Sequence, residues 1–147
     1  MPPHRSVPLG IRRALVVDDD AEYGHVIADA LGPNFRSELV QSADEAMAAL
    51  RAGPHDVVII ESNVAGADSV GELVTRLREI EPDVGIVVTS LVGLFARQTV
   101  QCFEAGADDY VPKPFHPAEL RARVDRVARG GARRDSYEAG RKAPGGA

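Results

Sequence analysis

The chain of 147 residues holds a single cysteine, Cys102, which excludes an internal disulfide and any metal site built on several thiolates. Its flanks, VQCFEAG, read as those of a small buried apolar residue. No apolar run approaches the roughly 18 residues that cross a bilayer, and the N-terminus lacks the apolar core of a signal peptide, so a soluble cytoplasmic protein is expected. A basic excess is missing too: the formal net charge is -5, which argues against a nucleic-acid partner. None of the four histidines has a second at metal-ligand spacing, and His25 and His55 read as surface residues of helix or loop. There is no Ser-His-Asp set, P-loop or Gly-rich dinucleotide signature, and Ser90 has no base placed to activate it.

What is present is one domain's worth of apolar residues, at 44% of the chain. Two ends without periodicity enclose it. Residues 1–11 form a Pro-containing arm, 12–129 an ordered body, and 130–147 a Gly-, Ala- and charge-rich tail expected to lack fixed structure. Residues 118–147 carry eight Lys/Arg against four Asp/Glu, whereas residues 1–117 carry nine against eighteen. That asymmetry reads as an acidic body followed by a solvated helix and a basic tail.

Inside the body the hydrophobic period switches repeatedly. ALVV (14–17), VVII (57–60) and IVV (86–88) are short, β-branched and not alternating, as strands covered on both faces require. FRSELV (35–40) and DYV (109–111) read as weaker strands nearer the edges. Helical spacing joins Tyr23, Ile27, Ala30 and Leu31, then Ala46, Ala49 and Leu50 behind a Ser42–Glu45 capping box. It returns at Leu73, Leu77 and Ile80, at Ala96, Val100 and Phe103, and at Leu120, Val124 and Val127 behind Pro117. Five βα units with right-handed crossovers give an α/β fold, a five-stranded parallel sheet with helices on both faces.

Ligands of such sheets sit at the carboxyl ends of the strands. Asp18, Asp19 and Asp20 stand at the end of the first strand, Glu61 at the third, Thr89 and Ser90 at the fourth, and Lys113 beyond the fifth. Carboxylates, a hydroxyl and a lysine suit a hard cation together with an anionic group, magnesium and phosphoryl oxygens for example. Taken alone, the Asp18–Asp20 run reads equally well as helix capping.

LVVDDD, DVVIIESNVAGAD and GADDYVPKPF together resemble the receiver domain of bacterial two-component response regulators, over about residues 12–129. The resemblance implies a flavodoxin-like (βα)5 domain of strand order 2-1-3-4-5, which takes a phosphoryl group from a histidine kinase onto an aspartate ending the third strand. By motif it assigns Asp18, Asp19 and the backbone carbonyl of Asn63 to a magnesium site that the residue at position 61 would share. It makes Thr89 and Lys113 the residues that read the phosphoryl group, Ser90 the small residue beside them, and Tyr110 an aromatic switch. A cis peptide before Pro114 is also implied.

The departure is at the acceptor. Asp56, Gly66 and Asp68 fall in register with the family pattern, Ala65 replaces a proline, and Glu61 stands where the aspartate belongs. Glutamate carries its carboxylate about 1.5 Å farther out. A displacement on the order of 1 Å can cost about a hundredfold in a positioned transfer. The extra reach also drives an anion toward Thr89 and Lys113, an incomplete imitation of a phosphoryl group. The expectation is an atypical receiver that signals by protein contact without aspartyl phosphorylation, with magnesium held weakly or not at all. A conventional phosphorelay receiver and a small flavodoxin-like ligand-binding domain are the alternatives. Crowding of Asp18, Asp19 and Glu61 around one lysine should raise at least one carboxylate pKa by mutual repulsion.

For output, the family commonly uses the face of the fourth helix, fifth strand and fifth helix. Phe95, Arg97, Gln98, Gln101, Tyr110 and His116 are therefore the expected interface, for a partner protein, a histidine kinase or a second copy. Leu91, Val92, Leu94 and Phe95 make that region apolar. Arg121, Arg123, Arg126 and Arg129 read as a solvated face. No DNA-binding or catalytic effector pattern is read after residue 130, so output is expected to pass through another protein.

Overall fold

Apolar strands that do not alternate need cover on both faces, and the fold supplies it. The computed structural model describes residues 10–64, 66–91 and 96–141, the side chains of 131–141 excepted. Within them β1 (Arg12–Val17), β2 (Phe35–Val40), β3 (Val57–Glu61), β4 (Gly85–Ser90) and β5 (Asp109–Pro112) alternate with five helices: α1 (Ala21–Leu31), α2 (Ala43–Ala52), α3 (Val70–Ile80), α4 (Ala96–Ala105) and α5 (Pro117–Arg141). All neighbouring strands pair in parallel, in the order β2-β1-β3-β4-β5. This is the flavodoxin-like order expected, with the two weaker strands at the edges.

The strand pleat sorts the core into two layers. Leu15, Val17, Val58, Ile60, Ile86 and Val88 pack with α2, α3 and Cys102 of α4. Their neighbours Ala14, Val16, Val57, Ile59 and Val87 pack with Ile27 and Leu31 of α1 and with Leu120, Val124 and Val127 of α5. α5 lies so close to β4 that a Cβ on Gly85 would stand 2.6 Å from Val127 Cγ1 and 2.9 Å from its carbonyl oxygen. Glycine at 85 is therefore a packing requirement. Asp20, Ser42 and Ser69 cap α1, α2 and α3 through their side-chain oxygens. Glu45 closes the α2 cap on the amide of Gln41, one residue before Ser42.

One feature was left open by the sequence, and two differ from the expectation. The α4 stripe faces outward: Val100 is 53% and Phe103 45% exposed, and Cys102 is the helix's buried residue. At 100° per residue, seating Cys102 on the sheet puts Val100 on the far side and Phe103 on the flank. His55 is buried rather than superficial, because the turn into β3 tucks its ring between the Gly53 carbonyl and a Glu38 carboxylate, each 3.1 Å away. Finally, α5 continues past 129 to Arg141, where Arg, Ala and Glu favour helix.

Candidate functional site

The sheet switches direction at β1, whose neighbours are β2 and β3, and the cleft at its carboxyl end receives the acids. Register does the gathering. Val17 pairs with Ile60, so Asp18 and Glu61, the next residues of both strands, come side by side; Glu61 in turn lies opposite Thr89. Lys113 enters from the end of β5, its amide donating to the Ser90 carbonyl at 2.9 Å, and its peptide to Pro114 is cis.

Asp18, Glu61 and Lys113 are all buried. Lys113 Nζ donates to Asp18 Oδ2 at 2.7 Å and stands 2.5 Å from Glu61 Oε2. The Glu61 contact is an ion pair rather than a well-angled hydrogen bond, which Oε2 lacks; Oε1 accepts from the Ser62 hydroxyl at 3.2 Å. Asp18 Oδ1 accepts from the Asp20 amide at 2.9 Å. The face of the Tyr23 ring closes over the ammonium, 3.9 Å from centroid to Nζ. Burial pushes the Asp18 carboxyl above its ordinary value, against the opposing pull of Lys113; the Glu61 charge adds the smallest push. The expected rise is therefore present, with desolvation rather than mutual repulsion as its main cause. Burial alone would lower the Lys113 ammonium, but the hydrogen bond to Asp18 and the close negative charges of Asp18 and Glu61 outweigh it and hold the group above 10.5.

The remaining assigned residues sit less centrally. Asp19 and Asn63 are exposed at the rim. Thr89 is fully buried, but its hydroxyl donates to the Ile60 carbonyl at 3.4 Å and makes no hydrogen bond to Glu61. Tyr110 is half-buried against the α2–α4 side of the core. Arg97, Gln98 and Gln101 are exposed on α4, and both glutamines line a cavity of about 540 Å³ between α3 and α4, away from Val100 and Phe103. His116 is exposed at the start of α5, where Nδ1 accepts from the Ala118 amide. Phe95, with Val92 and Leu94, lies outside the described residues, as does Ala65; Leu91 is 63% exposed. The α5 arginines are largely solvated yet engaged: Arg123 and Arg126 meet Asp109 at 3.2 and 2.9 Å, Arg129 meets Asp125, and Arg121 reaches the Ala30 carbonyl.

As arranged, the donor set fits a divalent cation poorly. Asp18 Oδ2 and Glu61 Oε2 are both spent on one ammonium, and Asp18 Oδ1 is spent on an amide. Among the described residues no three His, Cys, Asp or Glu side chains gather where a metal could bind. Sequence reasoning missed Tyr23 and Ser62. Ser62 follows the acceptor position directly, a signal available in the sequence; Tyr23 reaches Lys113 only through the angle of α1, which no local pattern records.

A parallel sheet that brings acids from β1 and β3 and a lysine from β5 to one cleft is the arrangement of a receiver module of two-component signalling. The chain belongs to the response regulator receiver domain family, whose profile matches residues 14–125. It is 32% identical over 115 residues to the DNA-binding response regulator MtrA of Mycolicibacterium paratuberculosis, covering 77% of this chain and 49% of that protein. It is also 32% identical over 118 residues to the transcriptional regulatory protein ResD of Bacillus subtilis, covering 80% and 48%. The chain thus spans about half the length of these curated relatives. Among solved structures, the BeF3-activated DrrB receiver domain matches at 27% identity and TM-score 0.72, over 80% of this chain and 97% of that one. A CheY-like receiver domain protein from Methanospirillum hungatei shares the fold, with TM-score 0.76 at 20% identity over 84% and 98%. No helix of the described residues is long and apolar enough to cross a membrane.

Proposed function

We propose that this chain is an atypical receiver in which Glu61 is a fixed anion at the acceptor position, so that signalling runs by protein contact without aspartyl phosphorylation. The observation that carries the reading is the 2.5 Å approach of the buried Lys113 ammonium to Glu61 Oε2. That ammonium is the group the family resemblance assigns to an incoming phosphoryl, and here a side chain already holds it. In-line transfer depends on position, and a carboxylate about 1.5 Å too long fills the space the transferred group would need. The imitation stops at Lys113, because Thr89 stays bonded to the β3 backbone. Glu61 thus supplies the charge of a modified acceptor without the hydroxyl contact that three phosphoryl oxygens could make.

Output then falls to the surface. Val100 and Phe103 on α4, with Leu91 before it, expose apolar area beside the polar Arg97 and Glu104, and such a patch suits a partner protein. A second copy of the chain or a histidine kinase would meet the same face. The test is intact-mass measurement after incubation with acetyl phosphate and magnesium. The wild type is expected to stay unmodified, whereas Glu61→Asp gains the increment of about 80 Da of one phosphoryl group. A stoichiometric, acid-sensitive adduct on the wild type would establish conventional phosphotransfer instead.

A further inference from the structure

We propose that Tyr23 is a positioning residue that holds the Lys113 ammonium between Asp18 and Glu61 as the site's built-in cation, and so sets how easily a divalent cation displaces it. An ammonium has three N–H donors and no acceptor. Around Lys113 there are three partners: Asp18 Oδ2 at 2.7 Å, Glu61 Oε2 at 2.5 Å, and the Tyr23 ring at 3.9 Å. The lysine side chain is 3% exposed, so water does not compete for these places. A ring face attracts a cation most strongly where water is excluded.

Tyr23 is itself held from two sides. Its amide donates to the Asp20 carboxylate that caps α1, at 3.2 Å, and its ring meets Phe115 edge-on, with centroids 6.0 Å apart at 73°. Phe115 follows Lys113 by two residues, so α1 and the β5–α5 connection close on the ammonium together. With the lysine pinned, a divalent cation must pull both carboxylates from a buried ammonium that already pairs with them before it binds. With the ring removed, one of three attractions is gone and the ammonium can turn toward solvent. The ring's hold on the ammonium is a contact between Tyr23 and Lys113, and it is the same whether or not Glu61 accepts a phosphoryl group.

Magnesium chloride titrated into the full chain, read by isothermal calorimetry and by thermal melting, tests it. Wild type and Tyr23→Phe, which keeps the ring, should bind equally weakly; Tyr23→Leu should bind about thirtyfold more tightly, the scale of a desolvated cation–π contact. A ring serving only as packing would lower the melting temperature of Tyr23→Leu and leave magnesium affinity unchanged, and that result overturns the proposal. So does a Tyr23→Phe variant that behaves like Tyr23→Leu. Should the leucine variant not fold, proton NMR of the wild type decides: the Lys113 ε-methylene should be shifted upfield by the Tyr23 ring current. An unshifted resonance refutes the contact.

Discussion

Shortening Glu61 to aspartate withdraws its carboxylate by about 1.5 Å and takes the ion pair with Lys113 from 2.5 Å to about 4 Å. With an effective dielectric of about 20, the attraction falls from about 6–7 to about 4 kcal/mol, a loss of about 2–3 kcal/mol. The missing methylene removes about 0.8 kcal/mol of buried apolar contact, and water drawn toward the freed ammonium returns part of the total. The net cost is about 2 kcal/mol, or about 5–8 °C in melting temperature for a chain of this size. Urea unfolding followed by far-UV circular dichroism reads it directly, with an unchanged slope marking a pure stability effect. A Glu61→Asp variant as stable as the wild type would refute the reasoning, because the long side chain would then add nothing to the hold on Lys113.

The Lys113 ammonium is held above its ordinary value, so the stability it contributes is complete below pH 10.5 and fades as pH rises through the raised folded value. Urea midpoints of wild type and Lys113→Met should therefore keep a constant gap from pH 7 to 10 and converge above it; a gap that closes near neutrality contradicts the pairing. The Asp18 carboxyl is raised by burial, so its ionisation costs stability as pH climbs from 3.8 through its folded value. Asp18→Asn should accordingly remove that fall and steepen the rise of stability with pH out of acid, and an unchanged limb would show that Asp18 carries no desolvation penalty. Gly85→Ala, which drives a Cβ to 2.6 Å from Val127, should lose about 1–3 kcal/mol, whereas Gly130→Ala, with nothing within 4 Å, should gain up to about 1 kcal/mol. Equal melting temperatures for the two would refute the close approach of α5 to β4.

The central strands were legible because β1, β3 and β4 are buried on both faces, and such burial leaves unbroken β-branched runs that few other structures tolerate. The site was legible for the same reason, since strand ends in a parallel sheet have one place to converge. The outward turn of α4 was not legible, because a helical stripe of Ala96, Val100 and Phe103 states which residues share a face and not which way the face turns. One small buried residue, Cys102, decided that instead. Thr89 illustrates a finer limit: its position follows from strand register, but its hydroxyl had a backbone acceptor within reach that no residue pattern reveals. His55 and Tyr23 depend likewise on the packing of segments distant in the chain, His55 against Glu38 and Tyr23 against Lys113.

The coupling between Glu61 and Lys113 is measured most directly by a double-mutant cycle of Glu61→Gln and Lys113→Met in urea unfolding. A buried pair 2.5 Å apart should show a coupling energy of about 2–3 kcal/mol. A value within a few tenths of zero, as two groups facing solvent separately would give, contradicts it.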